Sequence, residues 1–148
     1  RKLIKGLNIL GVPILVSQQY TKGLGMTVAD IADAIGDNFS YYDKLTFSCY
    51  KDENIMQAIA ASGRKNIIIC GVEAHICVLQ TAIDLVSARY KVIMVEDCVG
   101  SRKENDKKWG IKRALMEGAI PATSESLLFE LLQTAGTDTF KKISGLVK

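Results

Sequence analysis

Cys77 closes the run Asn66-Ile67-Ile68-Ile69-Cys70-Gly71-Val72-Glu73-Ala74-His75-Ile76-Cys77, a setting in which a thiol can act as a nucleophile. The apolar residues 67–70 predict a buried strand, Gly71 a tight turn, and the pattern from His75 onward the start of a helix. Unpaired N–H groups and the helix dipole favour negative charge in that first turn, and the thiolate is the reactive form of cysteine. The residues therefore suggest an activated cysteine at the C-terminal edge of a sheet. Taken alone, Cys77 reads slightly better as a small core residue, because free cysteine is often buried. Lys44 taken alone is a solvated lysine, and Cys49, Cys70 and Cys98 read as packing residues.

The elements that must position Cys77 follow from periodicity and punctuation. Residues 1–10 predict a helix with Leu3, Ile4, Leu7 and Leu10 on one face, and 14–16 a short strand with Pro13 at its first position. Residues 18–25 read as a loop, 27–35 as a weak helix and 42–47 as a short strand. A helix is predicted over 52–62, with Ile55, Met56, Ile59 and Ala60 inward and Gly63 as its cap. After the strand at 67–70 comes a helix over 76–89 with Leu79, Ala82, Ile83 and Val86 inward. A strand at 92–95, a helix at 104–117 and a strand at 120–123 come next, and Pro121 assigns this last strand to a sheet edge. Helices over 124–133, with Leu127, Leu128, Leu131 and Leu132 inward, and over 137–148 complete the chain. Strands alternating with helices imply an α/β fold with a parallel sheet covered on both faces, whose sites lie at the carboxyl ends of the strands. Residues 17–20, 71–77 and 97–102 fall at such ends.

The totals bound the function. The 148 residues suffice for one domain with a core. Apolar residues at 48% and charged residues at 24% are ordinary for a globular protein. A net charge of +3 is too small to imply a nucleic-acid partner. No apolar run is long enough to cross a bilayer, so no membrane partner is expected. The four cysteines have neither zinc-finger spacing nor the density of a disulfide scaffold. Reduced thiols place the chain in the cytoplasm, with the mitochondrion as second choice. His75 is the sole histidine, so no metal site and no cofactor are expected. The basic segment Arg102, Lys103, Lys107, Lys108, Lys112 and Arg113 is interrupted by Glu104 and Asp106, and reads as a solvated helix face rather than a phosphate-binding surface.

In this order the motifs resemble the isochorismatase-like cysteine hydrolase family, and within it the isochorismatase domain-containing proteins. The strongest is Gly71-Val72-Glu73-Ala74-His75-Ile76-Cys77 with Gln80, Thr81, Ala82 and Asp84; others are Lys44-Leu45-Thr46-Phe47-Ser48, Val95-Glu96-Asp97-Cys98-Val99 with Ser101-Arg102, and the stretch from Gln18 to Gly25. The resemblance implies a three-layer α/β/α fold with a six-stranded parallel sheet, order 3-2-1-4-5-6 in the intact protein. It implies a Cys that attacks a small amide, ureido or related acyl carbon, a Lys that supports the charged state and an Asp that shuttles the proton. Cys77 and Lys44 match the first two. It also implies a cis peptide joining Val72 to Glu73 and an oxyanion hole made by the N–H groups of Glu73 and Cys77, so that Glu73 acts through its backbone rather than its carboxylate. Gln19, Tyr20, Phe47 and His75 are candidates for substrate contact. Members are usually homo-oligomers.

Where nicotinamidases of this family carry metal ligands, Ser17-Gln18-Gln19-Tyr20 stands here, and true isochorismatases typically lack the cysteine. Some relatives carry a ribonuclease label, but no acid and base pair suited to RNA cleavage is visible. A binding protein of the same fold, without catalysis, is the alternative. The family's Asp lies on a central first strand upstream of the helix at 1–10. Without that strand, residues 14–16 and 67–70 would leave unpaired backbone groups in the core, at about 1–3 kcal/mol each. The expectation is a single domain over 1–148 whose intact form has a further segment of roughly 20–30 residues. The rival source of the acid is Asp97, whose simpler role is to cap the adjoining loop.

Overall fold

A computed structural model describes residues 1–148. Helix α1 (Lys2–Ile9) leads through an extended segment to strand β1 (Ser17–Gln19), then to a single turn α2 (Thr21–Leu24), helix α3 (Ala29–Ile35) and strand β2 (Tyr42–Lys44). A 3₁₀ turn (Cys49–Lys51), α4 (Glu53–Ala61) and β3 (Asn66–Val72) come next. A π-helical turn (Ala74–Val78) runs directly into α5 (Leu79–Ser87), and β4 (Lys91–Gly100), α6 (Glu104–Met116), β5 (Ile120–Ala122), α7 (Ser124–Leu132) and α8 (Asp138–Val147) complete the chain. Local chemistry sets several boundaries. The Asp52 carboxylate accepts the N–H groups of Asn54 and Ile55 at the start of α4, and Gly63 leaves that helix with φ +65°. Thr123 and Ser126 form a reciprocal cap on α7.

All strand pairs are parallel, in two sheets of order β1-β2 and β3-β4-β5. The five strands thus form two sheets here, not the single six-stranded sheet expected of the intact protein. Pro121 lies on β5, at an outer edge. Between the sheets lies a cleft of about 750 Å³. Residues 12–17 line one side of it and residues 66–70 and Val72 the other. Leu15 and Val72 are correspondingly open, at 46% and 69% exposure. The short strand predicted at 14–16 lies on this cleft; the ladder begins only at Ser17, where Tyr42 supplies a partner.

Helices cover both faces of the three-stranded sheet. On one, Ile55 and Ile59 of α4, Leu79, Ala82 and Leu85 of α5 and Ala114 of α6 pack against Ile69, Val92 and Met94. On the other, Leu3 and Leu7 of α1, Leu127 and Leu128 of α7 and Ile143 of α8 close over Val95, with Ile68 and Ile93 alongside. The alternation of Val92 and Met94 with Ile93 and Val95 is the period of two that a strand between two layers requires. No helix is long and apolar enough to cross a membrane.

Candidate active site

Gln19, Lys44 and Cys77, distant in sequence, meet here, the first two through the register of β1 and β2. Gln19 is the register partner of Lys44, which brings their side chains together at the ends of parallel strands. Lys44 is buried, at 3% exposure. Its ammonium donates to Gln19 Oε1 at 2.5 Å, to the Thr46 carbonyl at 2.8 Å and to the Phe47 carbonyl at 2.9 Å. Those bonds use all three of its donors, and no carboxylate lies within ion-pair distance of it. The Gln19 amide is fixed from both ends, because its Nε2 donates to the Leu45 carbonyl at 2.8 Å. The same Oε1 receives the Cys77 thiol at 3.9 Å. One amide therefore bridges the buried cation and the cysteine.

Cys77 sits in the π-helical turn, facing the cleft alongside Ser17, Tyr42, Cys49 and Thr81. The turn comes after a break in register, where Ile69 pairs with Met94 but Gly71 with Val99. The peptide bond between Val72 and Glu73 is cis. The Glu73 carbonyl accepts the N–H groups of Ile76 at 3.1 Å and Val78 at 3.2 Å, passing over that of Cys77. The Glu73 N–H donates to no group in the protein. Turns of this kind recur at functional sites because they redirect individual N–H groups.

Thr81 escaped the sequence reading as a site residue. It is buried, donates to the Cys77 carbonyl at 2.6 Å and accepts the Cys49 N–H at 2.9 Å, so it ties the cysteine turn to the segment after Lys44. The signal for it was its position one helical turn beyond Cys77, the spacing at which a threonine hydroxyl reaches back to a carbonyl.

The remaining candidates lie apart from the thiol. Tyr20 is 47% exposed with φ 44°, and its ring covers Gly23, where a Cβ would come within 2.1 Å of it. Phe47 enters the site through its carbonyl, while the residue is 53% exposed. His75 points to the loop after β4, with Nδ1 at 2.9 Å from Ser101 Oγ and Nε2 at 3.9 Å from Asp106. The Glu73 carboxylate, given no part by the sequence, accepts the Arg102 backbone N–H at 3.0 Å and lies 3.5 Å from the Arg102 guanidinium.

The titrating groups with clear shifts lie outside this constellation. Desolvation pushes the Cys70 thiol up, although the residue is exposed along the cleft. Burial, then the charge of Asp97 and the neighbouring Cys70, push Cys98 up to about 11. Asp97 is shifted down: partial burial opposes ionisation, but hydrogen bonds from the Ser124 hydroxyl at 2.5 Å and N–H at 2.7 Å outweigh it. Asp97 is thus bound to the first turn of α7, and no hydrogen bond connects it to Cys77 or Lys44.

A model of the isochorismatase domain matches residues 1–126. Isochorismatase domain-containing protein 1 of Salmo salar is 36% identical over 148 residues, which are 100% of this chain and 52% of the salmon protein. A structure described as the MAR1 ribonuclease of Caenorhabditis elegans superposes with a TM-score of 0.90 at 34% identity, covering 99% of this chain and 74% of that one. The YcaC product of Escherichia coli, described as an octameric hydrolase of unknown specificity, superposes at 0.88 with 19% identity over 98% of this chain and 72% of its own, a likeness of fold. The chain belongs to the isochorismatase domain family. It spans about half the length of the fish proteins it matches.

Proposed function

We propose that this chain supplies the nucleophile and the cation of a cysteine-dependent hydrolase acting on a small amide, ureido or related acyl compound. The observation that carries the reading is Lys44. A buried ammonium loses several kcal/mol of hydration, and here it is held by neutral oxygens, without a counter-ion, one amide away from a cysteine that faces an open cleft. An unpaired buried cation of this kind suits a site in which negative charge develops during the reaction.

The Cys77 thiolate attacks the acyl carbon, forming a C–S bond as the carbonyl oxygen takes up charge. The N–H groups of Glu73 and Cys77 receive that oxygen. The C–N bond then breaks, and the leaving nitrogen takes the proton removed from the thiol. Water attacks the thioester, releasing the acid and restoring the thiol. The proton carrier is a carboxylate on a further strand filling the cleft between β1 and β3. That strand would complete the order 3-2-1-4-5-6 and end beside Cys77. Exposed Leu24, Met26, Val28 and Leu45 provide apolar surface for a homo-oligomer, and four free thiols suit the cytoplasm.

The ribonuclease reading rests on the name of the nematode relative. It predicts RNA binding that weakens steeply with salt and cleavage lost on neutralising Lys107 and Lys108. The basic face offers it little, because Arg102 and Arg113 are engaged by Glu73 and Glu117, and Lys112 lies over the Trp109 ring.

The rate of iodoacetamide alkylation at Cys77 across pH, with the site located by mass spectrometry, tests the hydrolase reading. Rapid labelling well below the ordinary thiol range of about 8.5 supports it. Slow labelling that rises only in that range would instead favour a binding protein of the same fold.

A further inference from the structure

We infer that Glu73 is a positioning residue whose carboxylate fixes the cysteine turn against the loop after β4, aiming the Glu73 and Cys77 N–H groups at the oxyanion. The inference rests on the acyl-enzyme reading of Cys77 and gives the Glu73 side chain a part in it. The carboxylate is about three-quarters buried, at 23% exposure. One of its oxygens accepts the Arg102 N–H at 3.0 Å and lies 3.5 Å from the Arg102 guanidinium and 3.8 Å from His75 Nδ1. His75 Nδ1 also meets Ser101 Oγ at 2.9 Å, while its Nε2 faces Asp106 of α6 at 3.9 Å. The turn is thus held at two residues, 73 and 75, by a loop that begins where β4 ends. The contacts bracket the Glu73 peptide N–H, which has no partner of its own.

A donor at a reaction centre acts through its aim, and a misplacement near 1 Å can cost about a hundredfold in rate. A surface carboxylate with an incidental ion pair would leave reactivity untouched. One that aims the donors should affect reactions that develop an oxyanion and spare those that do not. Two reagents make this separation at the same sulfur. p-Nitrophenyl acetate acylates a thiolate through a tetrahedral oxyanion, and iodoacetamide alkylates it by displacement of iodide without one.

The experiment compares the full-length wild-type protein with Glu73→Ala and Glu73→Gln, reading both rates at Cys77 by mass spectrometry, with a thermal melt of each. In Glu73→Ala, acylation should fall on the order of ten- to a hundredfold while alkylation stays within about twofold. Glu73→Gln, which keeps an acceptor oxygen for the Arg102 N–H, should recover most of the loss. Should Glu73→Ala fail to fold, Ser101→Ala loosens the same loop from His75 and should lower acylation several-fold with alkylation unchanged. Equal loss in both reactions, or acylation at the wild-type rate in folded Glu73→Ala, overturns the inference. A wild-type Cys77 inert to both reagents overturns the acyl-enzyme reading and this inference with it, a result distinct from a failure at Glu73 alone.

Discussion

Gly110 lies in α6 where the helix crosses the cysteine turn, and the two backbones touch. A Cβ added there would stand 2.7 Å from the Cα and N of His75 and 2.8 Å from the carbonyl carbon of Ala74. All three are main-chain atoms, so no side chain can rotate away. Ordinary carbon contacts begin near 3.5 Å, so Gly110→Ala requires helix and turn to part by on the order of 0.8 Å or more. Overpacking of this kind costs about 1–3 kcal/mol, offset by about 1 kcal/mol because alanine favours a helix interior over glycine. The net loss of up to about 2 kcal/mol should lower the melting temperature by several degrees in a chain of this size. Because the displaced turn carries Cys77 and the Glu73 N–H, acylation by p-nitrophenyl acetate should fall by about ten- to a hundredfold. Gly145→Ala in α8 is the control. Its Cβ meets nothing within 4 Å, and it should raise stability by about 0.5–1 kcal/mol without changing acylation. Wild-type acylation in Gly110→Ala would refute the idea that α6 sets the position of the turn, whatever the melt shows.

Thr81→Val keeps the shape of the buried side chain but leaves the Cys49 N–H without its partner; denaturant unfolding should show a loss of about 1–3 kcal/mol. The carboxylate of Asp97 is shifted down, so its contribution is present above the ordinary aspartate pKa and is lost as pH falls through the lowered value. Melts taken between about pH 5 and pH 3 should therefore decline less steeply for Asp97→Asn than for the wild type. Cys98, half-buried and pushed up to about 11, should remain protonated and unlabelled by iodoacetamide near neutral pH. Peptide mapping that finds Cys98 modified as fast as Cys77 would contradict the upward shift.

The parts of this fold legible in the sequence are those fixed by local period and punctuation. The strand at 67–70 is present and extends to Val72, because β4 continues to supply pairing beyond the bulge. The helix predicted from Ile76 begins instead as a π-helical turn at Ala74, since an apolar pattern cannot distinguish i→i+5 bonding from i→i+4. Of the four residues assigned to its inward face, Ile83 and Val86 are only half-buried, while Leu85, not assigned to it, is fully buried. Ala60 of α4 likewise faces solvent. Cys77 and Lys44 were legible as a motif, yet the Gln19 amide that links them depends on β1–β2 register, which no local pattern encodes. The Glu73 carboxylate was illegible for the same reason: its partner Arg102 is 29 residues away and joined to it only by the parallel crossover.

Cys77 as the acylated nucleophile is tested most simply by treating the full-length protein with p-nitrophenyl acetate, quenching in acid and mapping the acetyl group by mass spectrometry. One acetyl group per chain is expected, carried as a thioester on Cys77, formed rapidly, lost on standing in water and absent from Cys77→Ala. Acetylation confined to lysines, or a Cys77→Ala protein that turns over the ester at the wild-type rate, would contradict it.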